Sequence, residues 1–75
     1  MILMDRLIGL LEDLRPDVDF ANADRLVSGG ILSSLDLITL LDLIEVEFNI
    51  AIKPKDLTAE NFNSAKAIWD LINSQ

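Results

Sequence analysis

Gly29-Gly30-Ile31-Leu32-Ser33-Ser34-Leu35-Asp36-Leu37 is the stretch that decides how this chain is read. A glycine pair loosens the backbone, a serine pair can cap a helix, and an apolar run with helical spacing follows. Ser33-Ser34-Leu35-Asp36 is a capping-box variant, in which the Ser33 hydroxyl accepts the N–H of Asp36. A helix is therefore expected from Ser34 to Phe48, with Leu37, Leu40, Leu41, Ile44 and Phe48 on its core stripe. Ser34 then stands at the helix mouth as an exposed hydroxyl, among backbone N–H groups whose partial positive charge suits a phosphate.

The same helix is apolar on a second side. Leu35, Ile38 and Val46 lie roughly opposite the core stripe at 3.6 residues per turn. Such a helix is either wholly buried or docks something on its outer face. Burial on all sides is hard to arrange in 75 residues, so docking is the favoured reading. Asp36, Asp42 and Glu45 lie beside or between the apolar three and would orient a partner with a greasy recess rimmed by Arg or Lys. The plainer alternative buries the three side chains under the preceding loop.

Outward from this helix, Leu3, Leu7, Leu10, Leu11 and Leu14, with Met4, form one stripe of a first helix from Ile2 to Arg15, which Pro16 ends. Its polar face lacks the basic residues of a membrane-surface helix, so core packing is expected. Residues from Pro16 to Ser33 make a connection long enough to need pinning, and Val18, Phe20, Leu26, Val27, Ile31 and Leu32 supply the apolar anchors. Beyond the second helix, Ile50 to Pro54 alternates like a strand but has no partner, and is read as an extended connector. Asp56 to Phe62 contains a single helical turn capped by Thr58. A last helix runs from Ser64 to Asn73, with Ala65, Ile68, Trp69 and Ile72 on one stripe. At that spacing Trp69 belongs to the core or its edge. The fold class is all-α, a single domain over residues 1–75 with three main helices, one short one and a long loop between the first two.

Composition narrows the function. Six basic residues against thirteen acidic ones give a net charge of −7, which speaks against nucleic acid and anionic lipid as partners. No apolar run reaches spanning length and no secretory signal is evident, so a cytoplasmic setting is expected. There is no histidine and no cysteine, hence no usual base, no thiolate and no transition-metal ligand set. A serine hydroxyl without an adjacent base is a weak nucleophile, so Ser34 does not make this chain an enzyme. Two roles remain from the residues alone: a helix-start serine and nothing more, or an acceptor of a phosphate-linked group delivered by another enzyme.

The ordered pattern from Leu26 onward resembles the carrier-protein family, the acyl and peptidyl carriers that bear a phosphopantetheine arm. The family's Gly-x-Leu-Asp-Ser-Leu attachment motif is matched by Gly30-Ile31-Leu32-Ser33-Ser34-Leu35. Its acidic-Phe-x-Ile element is matched by Glu47-Phe48-Asn49-Ile50, and Asp-Leu-Thr-x-Glu-Asn-Phe is unbroken from Asp56 to Phe62. A closing helix with Ala65, Ile68 and Ile72 completes it, so the resemblance spans essentially the whole chain.

The resemblance implies a four-helix carrier bundle in which Ser34 receives phosphopantetheine from coenzyme A, through a Mg²⁺-dependent phosphopantetheinyl transferase that brings the base and the metal. The arm's thiol would hold an acyl or aminoacyl cargo as a thioester, loaded and consumed by partner enzymes and synthases, with the carrier itself monomeric and non-catalytic. As in some relatives, the core could open between the second and last helices to shelter an acyl chain. Ser33 departs from the family's usual Asp, and Thr39 and Val46 stand where fatty-acid carriers commonly place Glu. This leans toward a specialised fatty-acid, polyketide or peptide-type pathway. The rival reading is a small acidic adaptor that docks partners through its second helix, with Ser34 only structural.

Overall fold

Leucine spacing in the first segment produces α1 (Ile2–Leu14). The computed structural model describes residues 2–74, and side chains from Met4 to Ser74. Leu7 and Leu11 are fully buried, and Met4, Ile8, Leu10 and Leu14 pack partly against the core, while Leu3 lies outside the described side chains. The N–H of Arg15 still reaches the Leu11 carbonyl at 2.9 Å, and Pro16 then ends the helix.

The long connection is pinned as its apolar residues require. Phe20, Leu26 and Leu32 are buried, and Val18, Val27 and Ile31 pack partly against the core. The segment 26–32 closes on itself, the Leu32 N–H donating to the Leu26 carbonyl at 2.7 Å. The two glycines serve different needs. Gly30 has φ +76°, in the left-handed region that side chains resist, whereas a Cβ on Gly29 would lie 2.6 Å from the Arg25 carbonyl oxygen.

A feature outside the sequence reading ties this loop to the far end of the chain. The Asn63 side-chain oxygen accepts from Val27 N–H at 3.0 Å and Ser28 N–H at 2.9 Å. The Asn63 backbone carbonyl accepts from Leu26 N–H at 2.9 Å. One residue thus satisfies three successive loop donors that would otherwise need water.

The second helix, α2 (Ser34–Phe48), has the expected bounds and ends at Asn49 in the left-handed conformation. Leu40 and Ile44 are buried and Leu37, Leu41 and Phe48 partly so, as the stripe required. Residues 50–53 form an extended connector, with Ile52 buried. Pro54–Asp56 then makes a 3₁₀ turn that the sequence reading did not foresee, with proline at a position where its missing N–H costs nothing. Thr58 caps α3 (Ala59–Phe62), and Ser64 caps α4 (Ala65–Asn73), so Ser64 precedes the last helix and does not begin it.

Helix α1 packs against α2 and α4, and α3 against α4. Phe20, Phe62, Leu40, Ile44 and Ile68 fill the centre. Trp69 sits at the core edge, meeting Phe48 edge-on at 6.3 Å between ring centroids. Arg6 covers the same end, over the Phe48 ring and paired with Glu47. The radius of gyration is 11.0 Å, close to the value of about 11 Å expected for a folded chain of this length. Among the described residues every regular element is helical, and no helix is long and apolar enough to cross a membrane.

Candidate functional site

Ser33 and Asp36 build the mouth of α2. Ser33 has the extended backbone of an N-cap, φ −83° and ψ 174°, and its hydroxyl accepts from Asp36 N–H at 3.2 Å. In return the Asp36 carboxylate accepts from Ser33 N–H at 3.0 Å, completing the expected capping box. These bonds hold the Asp36 carboxyl below the usual carboxylate range, with the Ser33 backbone N–H the largest cause and the Arg15 guanidinium adding to it.

Ser34 is the first helical residue and is exposed. No side chain among the described residues bonds its hydroxyl. The N–H groups of Ser34 and Leu35 also lack an acceptor there, as first-turn donors do. The hydroxyl is thus open to another protein, beside two free donors, and without a base of its own.

The six residues expected on the docking face divide into two groups. Leu35, Ile38 and Val46 are 76%, 55% and 84% exposed, so they are not covered by the loop. With exposed Asp42 they follow an i, i+3, i+7, i+11 stripe on the outer side of α2. Asp36 and Glu45 leave the helix on either flank of this stripe and are half-buried. The Glu45 carboxylate accepts from the backbone N–H of buried Ile52 at 2.8 Å, and Asp36 is held by the cap. Of the three acids, Asp42 is the exposed one, while Asp36 and Glu45 each have a backbone N–H partner within the fold.

Arg15 is the residue near the site that sequence reading missed. Its guanidinium donates to the Ile31 carbonyl at 2.8 Å, to Asp36 at 3.3 Å, and to both Asp17 oxygens at 3.4 Å. Its hydrogen bond to Asp17 holds that carboxyl low as well. The only signal in the sequence was a lone cation at the end of α1, a common complement to the helix dipole. Beside it an open groove of about 750 Å³ runs past Arg15, Val18, Asn22, Ile31, Ser33 and Asp36. Ser34 projects about 200° around the helix from Asp36, on the flank away from this groove.

This chain is similar to aminoacyl carrier protein 1 of Bradyrhizobium diazoefficiens, at 31% identity over 67 residues, which cover 89% of this chain and 73% of that protein. No protein-family model matches the chain. No solved structure gives a significant match.

Proposed function

The chain belongs to the carrier-protein family, and on that premise we propose that it is a discrete, non-catalytic carrier whose Ser34 holds a phosphopantetheine arm. The observation that carries this reading is the exposed, unpartnered Ser34 hydroxyl at the capped mouth of α2, bordered by an uncovered apolar stripe. The site suits the group. The free N–H groups of Ser34 and Leu35 face a position where a phosphodiester's negative charge is favoured by about 0.3–1 kcal/mol. Asp36, the nearest acid in sequence, is already engaged by Ser33 and Arg15.

Bound there, the arm supplies the thiol that a chain without cysteine lacks, and with it thioester attachment of cargo. The chain's own residues do the rest. Ser33 and Asp36 fix the helix start, and Leu35, Ile38, Asp42 and Val46 present the surface that a phosphopantetheinyl transferase, a loading enzyme and downstream synthases would grip in turn. The name of the similar Bradyrhizobium protein makes an aminoacyl group the first cargo to test, with an acyl group second. The carrier acts as a monomer in the cytoplasm, in a specialised pathway of fatty-acid, polyketide or peptide type.

The exposed stripe alone would equally serve an adaptor with no arm. Intact mass of the protein purified from its native host separates the two. A carrier arrives with the added mass of the arm, or of arm plus cargo, and an adaptor arrives at the mass of the bare chain.

A further inference from the structure

We infer that Arg15 is a positioning residue for modification at Ser34, holding the segment Ile31–Ser33 and the first turn of α2 against the end of α1. The inference rests on the carrier reading above. Arg15 lies just beyond α1, yet one guanidinium reaches three separate pieces of chain: Asp17 after α1, Ile31 before α2, and Asp36 inside α2. Asp36 in turn holds the N–H of Ser33, the residue immediately before the candidate acceptor. A chain of bonds therefore runs from the end of α1 through Arg15 and Asp36 to the backbone N–H of Ser33, one residue before Ser34.

Backbone bonds within the loop and the buried Leu32 fix the segment up to residue 32, and the Arg15 bonds add a tie from the end of α1 to its last residues. Gly29 and Gly30 lie directly upstream, both exposed, and Gly30 is left-handed. Ser33 and Ser34 are exposed as well, and of the segment 29–34 only Leu32 is buried. The clamp lies on the α1 flank, about 200° around the helix from Ser34, so it holds the backbone without obstructing the hydroxyl. Arginine suits this task, since its planar fork offers several donors in fixed directions. A lysine at this position would offer its donors from a single nitrogen, without the fork that reaches these separated acceptors.

The exposed stripe that would bind the transferase belongs to α2 itself and survives loss of the clamp. Binding and chemistry should then separate. Displacing a reacting group by an ångström can cost rate without costing affinity. The test uses coenzyme A, Mg²⁺ and a broad-specificity phosphopantetheinyl transferase, with arm attachment followed by intact mass over a range of carrier concentrations. Arg15→Gln should lower kcat about tenfold or more while KM stays within about twofold, and Arg15→Lys should fall between it and the native chain. All three are assayed at a temperature where circular dichroism shows them folded. Exchange of the Ser33 amide, measured on unmodified protein, should be faster in Arg15→Lys than in the native chain, which keeps the question open to measurement if Arg15→Gln does not fold.

An unchanged kcat in a folded Arg15 variant, a loss confined to KM, or equal Ser33 exchange in Arg15→Lys and native protein would overturn the inference. A native chain that never gains the arm would contradict the carrier reading instead, a different and separately visible result.

Discussion

Ser33 and Asp36 cap one another: the Ser33 hydroxyl takes the Asp36 N–H at 3.2 Å and the Asp36 carboxylate takes the Ser33 N–H at 3.0 Å. Adjacent serines are thereby given different tasks, because the Ser33 hydroxyl is spent on the helix start while the Ser34 hydroxyl is left unbonded. Ser33→Ala should lower stability by about 0.5–2 kcal/mol, read from a urea midpoint, and still permit arm attachment. Ser33→Asp keeps a capping oxygen and restores the residue usual in the family. A generic transferase should modify it faster than the native chain, and equal rates would mean that the departure has no consequence for that enzyme.

Glu45 and Val46 are neighbours in sequence with opposite expected behaviour. Val46 is 84% exposed, so Val46→Ala should leave stability within about 0.5 kcal/mol and raise KM for the transferase or loading enzyme. Glu45→Ala strands the N–H of buried Ile52 and should cost about 1–3 kcal/mol in thermal or urea unfolding. The reverse ranking would show that Glu45 is the docking residue and Val46 a packing one.

Asn63 offers a test of the loop anchor. Asn63→Ala leaves the N–H groups of Val27 and Ser28 without their acceptor and should lower stability by about 1–3 kcal/mol, with faster amide exchange across residues 26–32. Asn63→Asp retains an acceptor oxygen at the same place and should preserve most of that protection.

Acid should loosen the site before it affects the apolar core. Asp36 and Asp17 both have carboxyl groups held below their ordinary range in the folded chain, Asp36 chiefly by Ser33 and Asp17 chiefly by Arg15. For a carboxyl depressed on folding, the stabilisation is complete above its unfolded value of about 3.9 and is lost as pH falls through the lower folded value. The melting temperature should therefore decline below about pH 4, and less steeply in Arg15→Gln, which has already lost one cause of both shifts.

Much of this architecture was legible because the signals were local. The Ser33 cap, the ends of α2, the Thr58 turn and the leucine stripe of α1 each depend on residues within a few positions of one another. The exposure of Leu35, Ile38 and Val46 was legible too, since a stripe opposite the core stripe has nowhere to hide in a small bundle. What stayed hidden was long-range hydrogen bonding. Asn63 meets Val27 across 36 positions and Arg15 meets Asp36 across 21, and nothing in composition or periodicity marks a polar side chain's distant partner. For the same reason the Asp36 and Glu45 charges look free in sequence, although both carboxylates accept from backbone N–H groups.

Attachment of the arm at Ser34 is the central claim, and one measurement addresses it most directly. Purified native chain and Ser34→Ala are incubated with coenzyme A, Mg²⁺ and a broad-specificity phosphopantetheinyl transferase, and their intact masses are compared. The native chain should gain the mass of one phosphopantetheine. Ser34→Ala should gain nothing while keeping a near-native melting temperature, because an exposed hydroxyl contributes little packing. A native chain that stays at its original mass, or a Ser34→Ala chain that takes up the arm elsewhere, would contradict the account.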